Sequence, residues 1–102
     1  MPVSHTDVQK IVEILTVINK KIGPSTDVVW TGYDTWKMLK EDVESDINKL
    51  KGGDYTILDR LPNMFAPTGV FQELSLSNGW GDEFLILAEQ FDKLCERINL
   101  NN

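Results

Sequence analysis

The sequence predicts an all-α domain. It is a small bundle of three main helices, at about 6–22, 32–51 and 80–98, with one or two short helices between the last two. Three observations carry that prediction. Apolar residues recur at three- and four-residue spacing along three long segments, the period of a helix with one buried face. The pairs Gly23-Pro24 and Gly52-Gly53 stand where two of those patterns stop, as glycine suits a left-handed cap and proline cannot extend the ladder. No extended run has a partner run elsewhere with which to form a sheet.

The first helix has the clearest pattern. Thr6 and Gln9 have the spacing of a capping box, and Val8, Ile11, Val12, Leu15, Ile18 and Ile22 follow on one face. Residues 25–33 fit either a short turn or an extended piece at Val28–Trp30, after which Thr31 and Asp34 supply a second capping signal. Trp36, Leu39, Val43, Ile47 and Leu50 then mark the second helix. Asp54 is placed to cap a short helix carrying Tyr55, Leu58 and Leu61, with Pro62 ending it. Residues 63–69 look like a loop, although Met64 and Phe65 are large and apolar. Residues 70–77 read as a short helix capped by Thr68; the alternative is a short strand with Val70, Gln72, Leu74 and Leu76 on one face. The last helix carries Trp80, Phe84, Leu87, Ala88, Phe91, Leu94, Cys95 and Ile98, with Asp82 and Glu83 in its first turn, where the helix dipole favours them.

At 102 residues the chain has room for a single domain, 1–102, with one core. The net charge of −6 argues against a nucleic-acid or anionic-membrane binder, because such affinity comes from clustered Lys and Arg. No apolar run approaches the ~20 residues that span a bilayer. The opening residues lack the basic-then-apolar order of a signal peptide, and one cysteine forms no intrachain disulfide, so a cytoplasmic location is expected.

Candidate chemistry is sparse. His5, the only histidine, precedes the first cap and is expected to be exposed; Cys95 lies on an apolar stripe as core filler. Glu41 and Glu44 on one helix, with Glu89 and Asp92 on another, have the i, i+3 spacing of paired carboxylates, which resembles the metal-holding helices of all-α nucleotide pyrophosphohydrolases. That resemblance implies a Mg²⁺-dependent hydrolase, but the two pairs are far apart in sequence and the first brackets Val43, a core position. Residues 27–46 hold six acids (Asp27, Asp34, Glu41, Asp42, Glu44, Asp46) against two lysines, and a face of Asp34, Glu41, Asp42 and Asp46 suits a basic protein partner. The aromatic residues Trp30, Tyr33, Phe65 and Trp80 are candidates for lining a pocket.

Residues 61–84 are the most particular part of the chain. They contain Phe65-Ala66-Pro67-Thr68-Gly69 and Asn78-Gly79-Trp80-Gly81-Asp82-Glu83-Phe84. Over about residues 61–92 the chain resembles a family of short uncharacterised bacterial proteins with an F-A-P-T-G segment and an N-G-W-G-(D/E)-E-(F/Y) helix start. The resemblance implies a protein of mobile gene cassettes or one encoded beside a toxin as an immunity protein, and it carries no catalytic residues with it.

The expected function is therefore a non-enzymatic protein-interaction domain, concretely an immunity-type inhibitor that meets a basic partner through the acidic helix face. A small-ligand module with the aromatic pocket is the alternative, and the Mg²⁺ hydrolase a further one. No catalytic residue, cofactor or metal is expected in the first reading, and the oligomeric state is monomer or homodimer.

Overall fold

The computed structural model describes residues 4–67 and 69–98, and these form helices and turns with no strand among them. Three long helices, α1 (His5–Lys20), α2 (Trp36–Lys51) and α5 (Gly81–Ile98), are joined by a 3-10 turn (Thr56–Asp59) and two short helices, α3 (Leu61–Phe65) and α4 (Val70–Ser77). Residues 70–77 are thus the helix expected rather than the strand, and Phe71, Leu74 and Ser75 are the residues it buries.

Helix α1 begins one residue ahead of the expected box. Ser4 takes the N-cap position with extended backbone and no side-chain cap bond, so Thr6 lies inside the first turn and the Thr6–Gln9 box does not form. Its far end is closed by a cation rather than by glycine. Lys40 Nζ donates to the Asn19 and Ile22 carbonyls at 2.8 and 3.1 Å, neutralising the negative end of the helix. Gly23 does not take a positive φ; its N–H donates to Thr26 Oγ1 at 2.8 Å.

Helix α2 starts at Trp36 rather than near 32, because Thr35 is the residue that caps it, accepting from the Met38 N–H at 3.2 Å. Thr31 and Asp34 do not cap it. At its end Gly53, at φ 90°, completes a left-handed reversal: its N–H reaches the Leu50 carbonyl at 3.2 Å and the Asp54 N–H reaches Lys49 at 2.8 Å. These are the two bonds of a Schellman cap. Asp54 then accepts from the Thr56 N–H and hydroxyl at 3.1 and 2.7 Å, which starts the 3-10 turn.

Pro62 opens α3 instead of ending a helix, since the first turn has no use for its missing N–H. Phe65, expected in a loop, is consequently a buried helical residue. Its ring stacks on Phe91 at 4.0 Å and meets Phe71 edge-on at 5.0 Å. Gly69 is what allows α4 to follow so closely. A Cβ there would sit 2.8 Å from the Met64 carbonyl oxygen and 2.9 Å from that of Ala66, inside any permitted contact. The cap assigned to Thr68 lies outside the described residues.

Packing runs in a ring around the core. Helix α1 packs against α2 on one side and α5 on the other; α5 packs on α3 and α4, α3 on the 3-10 turn, and that turn returns to α2. Among the described residues α2 and α5 make no close backbone approach. The enclosed core includes all four phenylalanines and Ile11, Leu15, Leu39 and Cys95. Two ion pairs brace the antiparallel α1–α5 contact at opposite ends, Lys21 with Glu83 and Asp7 with Arg97.

Candidate functional site

The long connector between α1 and α2 carries the most exposed aromatic side chain. Val28 and Tyr33 pack against the core and Thr31 is buried, whereas Val29 and Trp30 point outward with 66% and 70% of their surface exposed. Alternation of this kind would be costly in a free loop, and here hydrogen bonds hold it. The Thr31 N–H and hydroxyl both donate to the Val28 carbonyl, at 3.0 and 2.7 Å, and the Tyr33 N–H returns to Thr31 Oγ1 at 3.2 Å. The Val29 N–H donates to Asp27 Oδ1 at 2.9 Å, an Asx-type bond. On the far side Tyr33 Oη donates to Asp42 Oδ2 on α2 at 2.7 Å. Burial, reinforced by that carboxylate, pushes the Tyr33 phenol up to about 12, so it remains a donor.

The other foot of the turn is bonded by Asn78. Its Oδ1 accepts from the Asp27 N–H and its Nδ2 donates to the Asp27 carbonyl, both at 2.8 Å, while Nδ2 also donates to the Leu74 carbonyl at 2.8 Å. Asn78 itself is placed by the reversal between α4 and α5. Gly79 sits at φ 82° and the Trp80 N–H reaches back to the Ser75 carbonyl at 3.0 Å. Lys21 lies over the Trp80 ring at 5.3 Å, and Leu76 touches the space where Gly81 lacks a side chain, 3.0 Å from a Cβ placed there.

The four acids assigned to a partner face divide. Asp34, Glu41 and Asp42 are exposed, with Met38 one turn before Asp42 on the same side of α2. Asp46 is not on that face. It is 2% exposed and ion-paired with Arg60, because positions 39, 43, 46 and 50 share the buried stripe of α2. Burial holds its carboxyl above the usual carboxylate range; Arg60 opposes this, but half of that side chain is in water and its charge is screened. Arg60 also lies 3.8 Å from the Met64 sulfur.

The candidate pocket residues fall in different settings. Phe65 is sealed in the core, Trp80 is half-buried and edge-on to Phe84 at 6.4 Å, and Trp30 stands in solvent. A hollow lies elsewhere, between α1 and α5. It measures about 510 Å³ and is lined by Ile14, Val17, Leu87 and Leu94 with Lys10, Lys93 and Arg97 among its polar residues. Glu41 and Glu44 border a shallower depression of about 500 Å³ on α2. Glu89 and Asp92 are on α5, which does not approach α2, and no group of three potential metal ligands forms among the described residues. The four-carboxylate centre that the hydrolase alternative requires is therefore not assembled.

His5 is exposed, as expected, but within the first turn of α1 rather than ahead of it. Cys95 is fully buried, and burial pushes its thiol up to about 12, which keeps it protonated and unreactive. No helix of the described chain is long and apolar enough to cross a membrane. Comparison with protein-family models, with curated proteins and with solved structures finds no match to this chain.

Proposed function

We propose that this chain is a non-enzymatic protein-interaction domain that binds a basic partner through the connector turn and the adjoining face of α2. The supporting observation is the Val29–Trp30 tip: two exposed apolar side chains on a hydrogen-bonded turn, in a segment carrying exposed Asp27, Asp34, Glu41 and Asp42. Tryptophan is among the residues enriched at the energetic centres of protein interfaces. Surrounding acids add attraction and orientation toward a cationic surface. What this surface gathers is apolar area and fixed negative charge, which serve recognition rather than bond-making.

The finer reading is an immunity-type inhibitor, acting by covering a toxin or enzyme, and it draws on the F-A-P-T-G and N-G-W-G resemblance. It includes a cytoplasmic location, consistent with a reduced and buried Cys95, and a monomer or homodimer as the working unit. Nucleic acid is not the proposed partner, since the net charge of −6 opposes a phosphate backbone.

Affinity capture from a lysate of the host tests this reading. The immobilised wild type should retain a basic protein, and the Asp34→Lys/Glu41→Lys double variant should retain at least about tenfold less at physiological salt. Equal retention by the two proteins would remove the acidic face from the account.

A further inference from the structure

We propose that Asn78 is a latch that holds the Val28–Tyr33 turn in its binding conformation, making the α4–α5 reversal a control point for the Trp30 surface. The inference rests on the binding role given to that turn, and it adds what sets the turn's order.

The geometry is specific to an amide. Asn78 engages both the N–H and the carbonyl of Asp27, a residue 51 positions away in the chain, with two bonds of 2.8 Å. Aspartate at this reach has no donor, leucine has neither function, and glutamine carries the amide one methylene too far. The same Nδ2 is tied to the Leu74 carbonyl, so the latch is anchored to the body of α4 rather than swinging from it.

The neighbouring residues shape the reversal that carries this amide. Gly79 supplies the positive φ that ends α4, and Trp80 returns its N–H to Ser75. Gly81 leaves room for Leu76, and Lys21 covers the Trp80 ring while pairing with Glu83. The N-G-W-G segment thus has a use beyond reversing the chain: it presents a peptide-like side chain to the connector.

Without the latch, the turn keeps its internal Thr31–Val28 bonds, its Tyr33–Asp42 bond and the packing of Val28 on the core, but Asp27 loses both of its bonds to the α4–α5 reversal. The bonds nearest upstream are those of Thr26 to Gly23 and Lys21, which do not reach Asp27. A turn ordered beforehand loses less conformational freedom on binding, so affinity follows the order of the turn.

Nuclear magnetic relaxation of backbone amides in the full chain tests the latch directly. Asn78→Asp is nearly isosteric, keeps the acceptor for the Asp27 N–H, and turns the donor into an oxygen facing two carbonyls. In that variant the order parameters of residues 28–31 should fall from about 0.85 to below about 0.6, with those of α1, α2 and α5 unchanged. Unchanged values at 28–31 in the folded variant would overturn the latch. Should that variant fail to fold, wild-type hydrogen exchange decides. The Asp27 amide lies at the surface yet should exchange at least roughly tenfold more slowly than that of Asp34, and equal rates would overturn the proposal. Partner binding separates the two ideas. A turn loosened by Asn78→Asp, with binding indifferent to Trp30→Ala, refutes the binding role alone; an ordered turn with binding lost on Trp30→Ala refutes the latch alone.

Discussion

Asp46 and Arg60 meet at the edge of the core, one side chain buried and the other half exposed. Their pairing sets a pH dependence whose sign follows from the burial of Asp46. Its carboxyl titrates higher in the folded chain than the usual 3.8, so above that pH the folded state binds more protons than the unfolded state. Stability from this group is therefore highest in acid and falls as pH rises through the raised value. Urea unfolding from about pH 4 upward should show the wild type losing stability relative to Asp46→Asn. A wild type that gains on the variant over that range would mean that Arg60 dominates. The burial of Asp46 was legible in the sequence, since it lies three residues after Val43 and four before Leu50. Counting acids along the segment hid it, because a charge count carries no helical phase.

At the scale of elements, the reversals are the parts the sequence marks most plainly. Gly52-Gly53 does stop α2, and Gly79 does end α4, each with a glycine in the left-handed region. Gly69 works differently: its φ is ordinary and its role is to let α4 approach the carbonyls of α3. Equilibrium denaturation should separate these roles. Gly79→Ala should cost about 1 kcal/mol through backbone strain, whereas Gly69→Ala should cost about 1–3 kcal/mol through overpacking. Gly23→Ala, with open space around it, should be within about 0.5 kcal/mol of wild type. Equal costs at Gly69 and Gly23 would contradict the close approach of α3 and α4. Helix starts were less legible, since Ser4 and Thr35 took the cap positions from Thr6 and from Thr31 or Asp34. Several hydroxyls and carboxylates stand within two or three residues of each start, and only tertiary packing chooses among them.

For the whole molecule, the period of the apolar residues was enough for the helical class. The closed order of packing, with α1 between α2 and α5, was not legible, because it depends on contacts between segments remote in sequence. The same limit applies to the site. The sequence marks Trp30 as a candidate, but its exposure depends on Val28 and Tyr33 being drawn inward and on Asn78 gripping Asp27 from 51 positions away. Phe65 and Trp80, proposed beside it, were instead taken up by core packing around Phe84. The molecule that results is a closed helical body with a tethered apolar tip in an acidic segment.

The most direct test of that account is titration calorimetry of the captured basic partner against wild type and Trp30→Ala. Because Trp30 is 70% exposed, its removal should leave the unfolding midpoint unchanged while weakening binding by at least about 30-fold, equivalent to about 2 kcal/mol. An affinity within about twofold of wild type, which is under about 0.5 kcal/mol, would contradict the central claim that the Val29–Trp30 tip is the binding anchor.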